Sequence, residues 1–399
     1  MSPWLRRLFR VQVGASSPYP GNDWLLTLFL LSATIYNAKI AAVRLLLILV
    51  FCAVPVILLI CRPVAHLAPK TRPMILLSGL WVLYFIVWFS KNFSDFVFDF
   101  SGPNVEMMTP VLFFTHLYAI PLLLNYPRER LRAALLRFSI LLVAFLIFEM
   151  VLRYFSEPVC FLNYNCRFEA KTVGFFSTTN ALATSLVVVM LSFFAVSQLR
   201  PRARLSLEFI LLTSMARSAI IAYLFGLFLR VFSALKASTR LLLFVGFGAG
   251  VGLFLFYDPL RLLGDGSANS KIDFFLSAWS LLFAGDPQAI WLGFGANFAS
   301  VVETLGVRGW SPHAPILKAF MYFGVIGVFL YLSFIGSFLF AFPKSVIPVA
   351  AYLLLGLAGA PIFFPTLIVI IAVFRAYEPI SISADSQEQQ RLKVQSARS

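Results

Sequence analysis

Long apolar runs alternate with short polar breaks along this chain, and within each run the apolar residues are continuous. Continuous runs match buried or lipid-facing helices, whereas a membrane barrel would place apolar residues at every second position. A helix that crosses a bilayer needs about 20 predominantly apolar residues, and the chain carries about twelve runs of that character. They cover Trp24–Asn37, Ile40–Cys61, Met74–Ser90, Met107–Leu124, Leu131–Tyr154 and Asn180–Gln198. The others are Leu205–Thr213, Ser218–Phe232, Leu241–Tyr257, Ile316–Phe342, Ser345–Gly359 and Ile362–Phe374. Leu205–Thr213 and Ser218–Phe232 read as two limbs joined at a tight bend. These two and the last two runs are short, which fits tilted, re-entrant or fused segments.

The pattern predicts an all-α polytopic membrane protein. One helical domain covers residues 1–378, and a polar, disordered tail covers 379–399. Composition agrees. Of 399 residues 60% are hydrophobic and 12% charged. A soluble domain carries about 25% charged residues, so too little polar surface is available here to cover a water-soluble globule.

The formal net charge of +15 raises the question of nucleic acid. The basic residues form no single stripe; they lie in short clusters between the runs, so a nucleic-acid partner is set aside. Arg62, Lys70 and Arg72 form one cluster, and Arg128, Arg130, Arg132 and Arg137 another. Arg200, Arg202 and Arg204 follow, then Arg230, Lys236 and Arg240, then Lys344. Read as alternate loops, these mark the cytoplasmic side. The intervening loops carry Asp95, Asp99, Glu106, Glu157, Glu169, Asp258, Asp265, Asp273, Asp286 and Glu303, and face outward. Both termini then fall in the cytoplasm. The outer loop over 258–315, between the ninth and tenth runs, is far longer than the others, and long ordered loops usually carry function. No cleavable signal of ordinary form is seen, and no internal repeat of the inverted-transporter kind.

Few residues carry chemistry. His313 closes the long outer loop in Trp310-Ser311-Pro312-His313-Ala314-Pro315, and Gly324 and Gly327 follow in the next run. An imidazole of ordinary pKa near 6.5 accepts a proton from a hydroxyl at neutral pH; a histidine at a helix start is the plainer alternative. Arg217 sits at the bend in Ser214-Met215-Ala216-Arg217-Ser218. A guanidinium there either snorkels or offers its planar fork to phosphate oxygens. Arg44, one turn inside the second run, has the same two readings. Lys271, Arg261 and Arg308 lie in the long loop. Glu149 and Arg153 are spaced for an i, i+4 pair, and His116 reads as a hydrogen-bonded bundle residue. Asp95 and Asp99 lack a histidine or a third acid nearby, so no metal site is expected. Cys160 and Cys166 share an outer loop and are spaced to allow a disulfide; Cys52 and Cys61 read as inert.

Several of these segments resemble the bacterial O-antigen ligase and O-antigen polymerase family. His313 with Gly324 and Gly327 is similar to the family's histidine followed by spaced glycines at the close of its periplasmic loop. Ala314 departs from the polar residue usual there. Gly293-Phe294-Gly295 resembles the Gly-x-Gly upstream, and Lys271 with Trp279 its arginine followed by an aromatic. Gly174 to Ala181 and Ser214 to Ser218 resemble its span start and its Ser-Arg-Ser bend.

The resemblance implies a metal-independent, inverting glycosyltransferase of the bacterial inner membrane with no cofactor. The donor would be an undecaprenyl-diphosphate-linked glycan. The acceptor would be lipid A-core for a ligase, or another lipid-linked glycan for a polymerase. The single large outer loop favours the ligase slightly. His313 would be the base, Arg217, Lys271 and Arg44 would hold the donor diphosphate, and Arg261 and Arg308 are weaker candidates. A membrane transporter or flippase of a lipid-linked or small anionic substrate is the alternative.

Overall fold

A computed structural model of the chain describes residues 20–35, 41–61, 71–92, 109–156, 179–199, 201–214, 216–236, 238–239, 287–294, 315–357 and 365–377. Those residues are almost entirely helical, with no β-strand among them. The helices are α1 (Pro20–Ile35), α2 (Ala41–Cys61), α3 (Arg72–Asn92), α4 (Thr109–Asn125), α5 (Arg128–Ser156) and α6 (Thr179–Ala195). They continue as α7 (Pro201–Thr213), α8 (Arg217–Ala234), α9 (Pro287–Leu292), α10 (Pro315–Ala341), α11 (Val346–Leu357) and α12 (Pro365–Tyr377). All but α9 coincide with apolar runs read from the sequence. The run Leu241–Tyr257 lies outside the described residues, as does the long loop apart from α9, the two residues after it, and Pro315.

Two stretches, Arg128–Leu152 in α5 and Phe323–Ala341 in α10, are long and apolar enough to cross a membrane. The length of α5 follows from its sequence: 29 residues without an internal proline or glycine. Among the described residues, the apolar stretches of other helices run 10–17 residues. Prolines lie inside two helices, Pro55 in α2 and Pro121 in α4.

The centre is α12, which packs on α1, α4, α5 and α6. Its residues Leu367 to Phe374 are buried around the whole circumference, as expected of a helix that is apolar on every face. α6 is its buried neighbour, and α8 and α11 cover α6. α10 lies against α3 and α9. Several serine hydroxyls inside this apolar bundle return to carbonyls of their own helix. Ser78 donates to Met74, Ser139 to Leu135 and Ser192 to Val188, at 2.8, 2.8 and 2.7 Å. Such back-bonding satisfies a polar group without a partner helix or water. The outside of the bundle is apolar too: Ile60, Leu76, Phe209, Phe329 and Phe340 are each at least two-thirds exposed.

One expectation is corrected. Basic residues assigned to loops are helical. Arg128, Arg130, Arg132 and Arg137 occupy the first three turns of α5, Arg202 and Arg204 lie in α7, Arg230 in α8, and Arg72 opens α3. Arginine is a good helix former, and its long stem carries the charge to the helix end without breaking the helix.

Candidate functional site

The feature that joins distant segments lies at the start of α10. Gly324 there has φ 65° and ψ −165°, a region open essentially to glycine alone. It kinks α10 about two and a half turns into the helix, and the backbone at the end of α9 fills the space. A Cβ at Gly324 would fall on the Trp291 carbonyl group and the Gly293 N–H. Gly293 has a positive φ of 80° as well. Two glycines of the resemblance, far apart in sequence, thus meet backbone to backbone.

Tyr84 of α3 pins this contact. Its hydroxyl lies 2.6 Å from the Phe323 carbonyl and 3.3 Å from the Leu292 carbonyl. Its single proton serves the nearer carbonyl, with the second sharing it. Trp81 meets the Phe323 ring edge-on at 5.5 Å, and Trp88 packs on it at 5.1 Å. The kink frees backbone carbonyls that need a donor, and the tyrosine supplies one in an apolar wall.

The bend between α7 and α8 lies at the same end of the bundle. Ser214 Oγ donates to the Leu211 carbonyl at 2.6 Å and accepts the Ala216 N–H at 3.3 Å. The Thr213 hydroxyl reaches Met150 Sδ at 4.0 Å. That places the bend beside the turn of α5 that holds the fully buried Glu149. Arg217 is the first residue of α8, whose N-cap, Ala216, provides no side-chain hydrogen bond. Uncapped N–H groups and the positive end of the helix dipole favour an anion there.

Of the predicted residues, Arg217 and Arg44 are placed as backbone in the first turns of α8 and α2. His116 lies within α4 and Arg153 within α5. The side chains of these four are outside the described set. His313, Lys271, Arg261 and Arg308 lie outside the described residues, as do Trp279, Asp95, Asp99, Cys160 and Cys166. Cys52 is a free thiol and accepts a hydrogen bond from Thr115 at 3.1 Å.

Tyr84 was not picked out from the sequence. The signal was present: a hydroxyl between Trp81 and Trp88 in an apolar run must find an acceptor. Glu208 was missed too, an acid inside the short seventh run. It pairs with Arg204 at 2.7 Å and accepts the Tyr223 hydroxyl.

No protein-family model matches this chain, and no curated protein is significantly similar to it.

Proposed function

We propose that this chain is a many-pass membrane glycosyltransferase of the O-antigen ligase or polymerase type. It moves a glycan from a lipid diphosphate to an acceptor sugar hydroxyl at the outer membrane face. The observation that carries the reading is the backbone contact of Gly293 with Gly324. It ties the two ends of the segment containing His313 to one place on the bundle. The apolar exterior supports the membrane setting, since contiguous exposed apolar surface is disfavoured in water. On this reading about twelve spans cross or enter the bilayer.

The chemistry needs one base and one anion holder. The acceptor oxygen attacks the anomeric carbon from the face opposite the diphosphate. The carbon–oxygen bond to the diphosphate breaks, and the lipid diphosphate leaves with the electron pair. His313 takes the acceptor proton and returns it to solvent. Arg217 at the start of α8, with Lys271 and Arg44, neutralises charge growing on the diphosphate. A direct displacement inverts the anomeric centre, and these cations do the work a metal does elsewhere.

The test is transfer by the purified protein in liposomes, given an undecaprenyl-diphosphate-linked oligosaccharide and lipid A-core. A new glycosidic bond, formed equally well with a chelator present, is expected. Arg217→Lys should weaken both donor binding and rate, because a point charge cannot reproduce the planar fork. Movement of the lipid-linked glycan across the bilayer with no new bond would replace this reading with a flippase.

A further inference from the structure

Close packing at the end of α6 gathers two positive charges onto one ring. Gly226 lets α8 lie against α6, where a Cβ would stand 2.6 Å from a Leu191 methyl. One turn further along both helices, Arg230 reaches Phe194. Its Nη1 donates to the Phe194 carbonyl at 3.2 Å, and its guanidinium lies 3.6 Å from the centre of the Phe194 ring. Arg204 of α7 comes to the same ring, 4.7 Å from its centre. The two guanidinium carbons are thus no more than about 8 Å apart, the two distances laid end to end. The Nε edge of Arg204 is turned to Glu208 and Tyr223, at 2.7 and 3.2 Å. Among the described residues, the Nη groups of Arg204 and the remaining N–H groups of Arg230 meet no acceptor. Arg230 is exposed, as is a third of the Arg204 side chain.

Between residues 199 and 240 the sequence holds one acid, Glu208, against seven basic residues. That surplus calls for an anion from outside the segment. Next to it the surface is apolar. Leu205, Phe209 and Leu212 stand exposed on one face of α7, and Ile221, Leu224 and Phe228 on one face of α8. On α7 the stripe starts beside Arg204 and runs about 10 Å at 1.5 Å per residue. We propose that the arginine end of the α7–α8 pair binds an anionic phospholipid, with its phosphate on Arg204 and Arg230 and its acyl chains on the apolar stripes. Guanidinium forks pair with phosphate oxygens through charge-assisted hydrogen bonds. Anionic lipids are drawn to basic clusters at a membrane face. A free phosphate would use the arginines without the stripes, and an uncharged lipid the stripes without the arginines. An anionic lipid matches both. The proposal rests on the membrane setting of the proposed function and not on glycan transfer.

The experiment is native mass spectrometry of the purified full chain in detergent, with phosphatidylglycerol and phosphatidylcholine offered in turn. Saturable retention of phosphatidylglycerol over phosphatidylcholine is expected. Arg230→Gln should lower that retention about fivefold or more, the effect of one cation at an anionic headgroup. Arg72→Gln is the control and should leave it unchanged. Arg72 is exposed at the start of α3, which packs on α4 and α10. A photoactivatable phosphatidylglycerol should crosslink to residues 202–212 and 221–231, and this readout carries the test if Arg230→Gln does not fold. Equal retention of the two lipids, retention unchanged in Arg230→Gln, an equal loss in Arg72→Gln, or crosslinks confined to other helices would overturn the proposal. So would a chain that stays in solution without detergent, because the membrane setting then fails with it. Glycan transfer enters none of these readouts, so failure of the transferase reading is told apart from failure here.

Discussion

The two ends of the bundle are held by different physics. At the Gly324 end, backbone lies on backbone, and the fastening is uncharged: a tyrosine hydroxyl and the rings of Trp81 and Trp88. At the other end, arginines cap the C-termini of the two central helices. Arg132 reaches the last turn of α12. Arg230 donates to the Phe194 carbonyl near the end of α6 at 3.2 Å, and its guanidinium stacks 3.6 Å from that ring's centre. Arg204 lies over the same ring, 4.7 Å from its centre. The chain leaves α6 through a Schellman turn, in which Ser197 takes φ 58° and the Gln198 N–H returns to the Phe193 carbonyl at 2.9 Å. From Gly324 to Phe342, which packs on Phe374 at the arginine end, α10 spans about 27 Å at 1.5 Å per residue. Steric fit fixes the first end and tolerates no added atom. Charge and stacking fix the second, which tolerates change but responds to salt.

That contrast can be broken most sharply at Gly324. Gly324→Ala adds a Cβ against the Trp291 carbonyl in a conformation that alanine avoids. The loss should be on the order of 3 kcal/mol or more, from backbone strain plus overpacking. Thermal unfolding in detergent and proteolysis near 287–294 would register it. Gly336→Ala serves as the control, because a Cβ there meets nothing within 4 Å. Arg132→Ala comes next. Losing the cap on α12 and the stack on Tyr377 should lower stability by about 2 kcal/mol. Tyr84→Phe keeps the ring and removes only the hydroxyl, and about 1–2 kcal/mol should follow from the carbonyls left without a donor. Its proteolysis pattern should resemble that of Gly324→Ala in milder form. Glu208→Gln should matter least, by about 0.5 kcal/mol and only at low salt, since the i, i+4 pair with Arg204 is partly exposed. A large, salt-independent loss there would erase the distinction between the ends.

Much of the helical layout was legible because it rests on composition and period. The bend before Arg217 was read from the polar break Ser214–Arg217 between two short apolar limbs, and the described helices turn at that place. The glycines at 293 and 324 stood out as motif members, but their contact did not. Sequence spacing carries no sign that a positive φ at one glycine admits the carbonyl of a residue 33 positions earlier. The arginines of α5 depart from the pattern, because a charged cluster between apolar runs has the signature of a loop. In an apolar bundle a guanidinium can stay on a helix if a carbonyl or a ring receives it, as Ala376 and Tyr377 receive Arg132. Glu208 and Tyr223 were hidden because each is ordinary alone; only the antiparallel limbs of α7 and α8 bring them together.

Single-turnover kinetics of His313→Ala tests most directly whether His313 serves as the base of the proposed glycan transfer. The variant should fold, bind the lipid diphosphate donor with unchanged affinity, and transfer about 10²–10⁴-fold more slowly, the usual range for a lost general base. Near-normal turnover by His313→Ala at full donor occupancy would contradict it.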